Sequence, residues 1–194
     1  MVRPRTYQPE EALQRAVDVF AAKGYAETSM EDLVNATGVS RYGIYETFGN
    51  KREFFETSLE RFAENMGKRS FLRLLEPEAS LEHIRQIFSE RIEDMMCDSD
   101  PKGCLLIHTA MELAPKDKEL QGVLQRFMKR MTKAFAIGLE SAKDLGEIRD
   151  DLDIRAAATT LTGTMFGVAV MGRVGFPAET LTSIVDTTLM GFKA

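Results

Sequence analysis

The chain has 194 residues, 44% hydrophobic, 28% charged and 8% aromatic, a balance that fits a folded soluble protein of one or two domains and excludes a disordered or fibrous one. Its net charge of −5 argues against nucleic acid as a partner for the whole surface and leaves room for a local basic patch. Two cysteines, Cys97 and Cys104, are too few for a disulfide scaffold and fit a reducing cytoplasm. The opening "MVRPRTYQPEE" lacks a signal-peptide core, and the longest apolar patch, around "MFGVAVMG", reads as too short to span a bilayer, so no membrane partner is expected.

Apolar residues recur at i, i+3 and i+4 almost throughout, which predicts an all-α fold of about nine helices. The first runs from about Gln8 to Lys23, with Pro9 in its first turn and Gly24 as its stop. Thr28, with Glu31 three residues on, has the spacing to cap a short second helix ending near Gly38. A third spans about Ser40 to Phe48. A long fourth is expected over residues 50–75 as a linker, broken by "EPEAS". Ser80 then caps a helix to about Cys97, and "CLLIHTAMELA" makes a short one ended by Pro115. A long helix covers about Lys118 to Lys143, with Gly146 as its C-terminal cap. The last two cover about Ile154 to Val174 and Ala178 to Phe192. The expected domains are residues 1–49 and residues 50–194.

Helices two and three, joined by a glycine turn and braced by the first, make a helix-turn-helix. Gly38 supplies the left-handed turn, Val39 plugs the small core and Ser40 caps the second helix, which becomes the reading helix. Ile44 and Phe48 form its buried side; Arg41, Tyr42, Tyr45 and Thr47 its exposed side. Arg41 is suited to a guanine edge and an aromatic edge to a thymine methyl, whereas Tyr45 and Lys51 suit phosphate oxygens. Gly43 weakens so short a helix by about 1 kcal/mol against alanine, which makes sense where the helix approaches DNA closely. The alternative is a plain helical hairpin with Tyr42 and Tyr45 as packing residues. Charge does not decide it, because the first 55 residues hold seven bases and eight acids. Placement is more telling, with Arg3 and Arg5 on an arm and Arg41, Lys51 and Arg52 around the reading helix.

The stretch "KGYAETSMEDLVNATGVSRYGIYETFGNK" resembles the N-terminal domain of the TetR family of transcriptional regulators. The resemblance is tight over about residues 10 to 55 and weaker at "GEIRDDLD". It implies phosphate contacts at Thr28, Tyr45 and Lys51 and base contacts between Arg41 and Thr47. Tyr42, Gly43 and Glu46 depart from the residues most common in the family. It further implies a DNA-binding regulator, not an enzyme: a repressor that releases a palindromic double-stranded operator when a small-molecule effector binds its larger C-terminal ligand-binding and dimerisation domain.

Candidate linings for that ligand pocket are Phe88, Met95, Met111, Phe127, Met131, Met165 and Phe166, with methionine supplying adaptable apolar walls; each also reads as ordinary core. Cys104, His108 and Glu112 recur every four residues and share one helical face. Cys104 and His108 are counted at the pocket, Cys104 as an electrophile- or redox-sensing thiol activated by His108, while all three read as metal ligands or most remotely as a catalytic set; no cofactor motif appears. The final two helices are rich in small residues, which let backbones approach closely. Ala157, Gly163, Gly167, Leu181, Val185 and Leu189 are the expected contacts, and the resemblance implies a homodimer whose four-helix bundle they build.

Overall fold

The computed structural model describes residues 7–67, 71–97 and 105–194. They form nine α-helices and no strand: α1 (Pro9–Glu27), α2 (Met30–Thr37), α3 (Arg41–Phe48), α4 (Lys51–Met66), α5 (Leu81–Cys97), α6 (Leu105–Glu112), α7 (Lys118–Asp144), α8 (Ile154–Val174) and α9 (Ala178–Met190). The all-α expectation holds. The linker does not: α4 ends at Met66, and Leu72–Leu75 is a separate 3-10 turn. Gly67, directly after α4, and Phe71, directly before the 3-10 turn, are both π-helical, so the winding changes there from α.

The described parts of Met1–Asn65 and Gly103–Gln121 form one compact unit, so this unit recruits α6 from far beyond residue 49. Phe20 sits at its centre, edge-on to Phe54 at 6.4 Å and to Phe55 at 5.1 Å. Leu33, Ile44 and Leu59 are fully buried in the same unit. Burying each such side chain contributes about 1.5–3 kcal/mol, and this periodic apolar set is what the four short helices share. α1 packs on both α2 and α6.

The second unit comprises the described parts of Met66–Lys102 and Gly122–Ala194. Here α5 packs against α8 and α9, which also pack on each other. Phe135 lies edge-on to Phe71 at 5.3 Å and stacks on Phe88 at 5.9 Å. Arg85 and Asp186 tie α5 to α9 through an ion pair of 2.7 Å. The expectation that no apolar stretch is long enough for a bilayer needs correction. α8 has 21 residues and a window of mean hydropathy 1.2, enough to cross by length and composition alone. Within its unit it buries Ala157, Leu161, Met165 and Val168 instead.

Candidate nucleic-acid interface

The turn between α2 and α3 is built as the residues dictate. Gly38 is left-handed (φ 70°, ψ 9°) and its N–H donates to the Val34 carbonyl, ending α2; a side chain there would be strained. Val39 is buried, and the Ser40 hydroxyl accepts from the Gly43 N–H at 3.1 Å, capping α3. Ile44 anchors α3 in the core and Phe48 stacks on Phe54 at 4.2 Å. Asn50 opens α4 through a reciprocal box: its side chain accepts from the N–H groups of Arg52 and Glu53, while Glu53 accepts from the Asn50 N–H.

What α3 offers outward is Arg41, Tyr42, Tyr45 and Glu46, all exposed, with Tyr42 at 76% and Tyr45 at 46%. A tyrosine that much exposed is no packing residue, which removes the plain-hairpin alternative for Tyr42. Lys51 is half-buried, its ammonium 4.4 Å from the centre of the Tyr25 ring and 3.4 Å from the Ala26 carbonyl. Arg52 is not a spare cation. It bonds Glu56 at 2.5 Å and Asp117 at 2.6 Å. Burial opposes its charge, but those two carboxylates outweigh it and raise its pKa.

Three sequence expectations change. Thr28 is 1% exposed and its hydroxyl donates to the Gly24 carbonyl at 2.6 Å, so neither capping nor phosphate contact is its job in this conformation. The cap is Ser29, exposed, in a capping box with Asp32: its hydroxyl accepts from the Asp32 N–H, and Asp32 accepts from the Ser29 N–H. The ammonium of Lys23, with the Ser29 donors, holds the Asp32 carboxyl far below the usual range. Gly43 is buried, not turned to DNA. A Cβ there would lie 2.9 Å from Val39 Cγ1 and 3.6 Å from the ring of Tyr7. Thr47 is half-buried and hydrogen-bonded to the Tyr7 hydroxyl, which also donates to the Gly43 carbonyl at 3.1 Å. Tyr7 is the brace of α3 that sequence reasoning missed. Its partners lie 36 and 40 residues away, and only an aromatic residue just ahead of Pro9 hints at it. Arg3 and Arg5 lie outside the described residues.

Cys104 also lies outside them. His108 and Glu112 belong to the first unit, where they meet α1 at the Gly24 break. The Glu112 carboxylate accepts from the N–H groups of Tyr25 at 3.0 Å and Ala26 at 2.6 Å. No group of His, Cys, Asp and Glu able to hold a metal occurs among the described residues. Met111, expected at the pocket, is 77% exposed. Phe88, Met95, Phe127, Met131 and Met165 are buried in the second unit, with Phe166 half-buried there. That unit also has an open cleft of about 590 Å³ with a different lining, which includes Leu81, Arg85, Glu147, Asp186 and Lys193.

Of the expected dimer contacts, Ala157, Leu181, Val185 and Leu189 are buried within their own chain, so they are core and not interface. Gly163 and Gly167 are exposed, and a Cβ added to either meets nothing within 4 Å. Their neighbours on the open face of α8 are Ala156, Thr160, Val170 and Val174.

Comparison with known proteins agrees with this architecture. Residues 12–57 match the family model for bacterial regulatory proteins of the tetR family, and residues 80–185 match the tetracyclin repressor-like C-terminal domain. The HTH-type transcriptional regulator YezE of Bacillus subtilis is 33% identical over 97% of this chain and 98% of its own. The transcriptional repressor ComR of Escherichia coli is 28% identical over 96% of this chain and 90% of its own. Among solved structures, the regulator CifR complexed with 26-base-pair operator DNA has 25% identity and a TM-score of 0.85, covering 98% of this chain and 99% of that one.

Proposed function

Because the chain belongs to the TetR family of DNA-binding transcriptional regulators and is not an enzyme, we propose that it is a cytoplasmic homodimeric repressor whose α3 reads a palindromic operator and which a small-molecule effector releases. The observation that carries the reading is the division of α3. One side is locked into the core by Ile44, Phe48, Gly43 and Thr47, leaving Arg41, Tyr42, Tyr45 and Glu46 presented to solvent on a helix capped at its start. Arg41 and Tyr42 then face base edges, and Tyr45 and Lys51 face phosphate. Phosphate contact at the start of α2 passes from Thr28 to the exposed Ser29 and its helix N-terminus. The relatives named as repressors, ComR and the DhaR of a Mycobacterium species, support the sign of regulation.

The dimer forms through the open face of α8. Gly163 and Gly167 need no smallness for the chain's own packing, and a second copy gives that smallness a use. A two-fold dimer presents its reading helices about 34 Å apart, one turn of DNA. The effector enters the apolar interior around Phe88, Met95, Phe127, Met131 and Met165 and shifts the population toward dimers that no longer match the operator. The test is binding to the DNA upstream of the chain's own gene, followed by anisotropy. Tyr45→Ala with Lys51→Ala should lower affinity more than about tenfold while circular dichroism stays native. Undiminished binding by that pair would sink the reading.

A further inference from the structure

Glu112 stands on α6, yet its carboxylate is spent on α1. At Gly24 the backbone leaves the helix (φ 80°, ψ 176°), and the N–H groups that follow lose the carbonyls a turn earlier. Glu112 accepts from both of the next two, Tyr25 and Ala26. Gly24 is also what lets α6 come so near: a Cβ there would lie 2.9 Å from Glu112 Oε2 and 3.2 Å from His108 Nδ1. The same two residues hold Lys51 from the other side, through the Tyr25 ring at 4.4 Å and the Ala26 carbonyl at 3.4 Å. Tyr25 is wedged edge-on against Phe55 of α4, 5.0 Å away.

We propose that Glu112 is a positioning residue for operator binding: by clamping the Tyr25–Ala26 segment it fixes the ring and carbonyl that seat the Lys51 ammonium. This rests on the reading of Lys51 as a phosphate contact. Lys51 has a long flexible stem, so an unseated ammonium spends less time at its phosphate. A fixed one neutralises that phosphate fully and so releases more of the counterions condensed on the DNA. Glu112 touches no DNA in this scheme; it acts through two peptide groups and one ring.

The experiment measures operator affinity of the full-length protein across a salt series for wild type, Lys51→Ala, Glu112→Ala and the double variant, with thermal melting of each. Lys51→Ala should flatten the slope of log affinity against log salt by about two, one per protomer. Glu112→Ala should flatten it in the same direction and, in the Lys51→Ala background, add almost nothing, since coupled residues are not additive. If Glu112→Ala melts below the assay temperature, Glu112→Gln carries the test. Its single amide oxygen keeps one of the two N–H bonds and most of the packing, and the slope should fall between wild type and Lys51→Ala. A structural role alone gives a normal slope and a loss that adds in full to that of Lys51→Ala, which overturns the proposal and leaves the Lys51 reading intact. An unaltered slope for Lys51→Ala removes the phosphate reading, and the proposal with it.

Discussion

Glycine is used in opposite ways on α3 and α8. In α3, Gly43 is small because the chain itself fills the space: Val39 Cγ1 and Ser40 Oγ would lie 2.9 and 3.3 Å from an added Cβ. In α8, Gly163 and Gly167 look onto nothing. A helix gains about 0.5–1 kcal/mol when an interior glycine becomes alanine, so an unexplained glycine on an open face carries a cost that the monomer does not recover. The contrast separates a constraint satisfied inside the chain from one that needs something outside it. Sequence periodicity treats both as one weak helical letter.

The hardest blow to that contrast is a large side chain on the open face. Gly167→Leu should weaken dimerisation by about 3 kcal/mol, more than a hundredfold, measured by sedimentation at falling concentration, with the helical content of the chain unchanged. A dimer undisturbed by Gly167→Leu would mean that this face is not where the copies meet. Next comes Gly43→Ala. Overpacking against Val39 should cost about 1–3 kcal/mol, partly offset by better helix propensity, read from urea unfolding. A gain in stability would show that Val39 and Ser40 move aside. The smallest effect belongs to Asp32. Its folded pKa lies below the unfolded value of about 3.9, with Lys23 the first cause and Ser29 the second. Its contribution is therefore complete above pH 4 and is lost as pH falls through the folded value. Asp32→Asn should give a shallower fall in melting temperature between about pH 4 and pH 2 than wild type.

The fold was legible because helices announce themselves locally. Gly38 after α2, Ser40 before α3, Ser80 before α5 and Gly146 after α7 are short-range signals, and each stands at its element's end. The extent of α4 was not legible, because apolar spacing continues through Leu72–Leu75 while the backbone tightens into a 3-10 turn. The exposure of Arg41, Tyr42 and Tyr45 on α3 also followed from period, whereas Thr47 is half-buried and bonded to Tyr7. What escaped were contacts between residues far apart in sequence. The Tyr7 bond to Gly43 spans 36 residues, and the Glu112 bonds to Tyr25 and Ala26 span 87 and 86. The two faces of α8 were not told apart, since buried Ala157 was grouped with exposed Gly163 and Gly167, and naming Leu181, Val185 and Leu189 as interface likewise required knowing which neighbour covers them. That neighbour is their own chain.

The distribution of aromatic residues has an optical consequence. The chain has no tryptophan and four tyrosines, Tyr7, Tyr25, Tyr42 and Tyr45, all of them in the first unit. Emission excited near 280 nm therefore comes from the first unit alone, with the second unit dark because its rings are phenylalanines. Two of these fluorophores are engaged inside the unit, Tyr7 on α3 and Tyr25 beside Lys51, and two stand on the reading face. The molecule thus contains its own spectroscopic label, already confined to the half whose response to DNA matters.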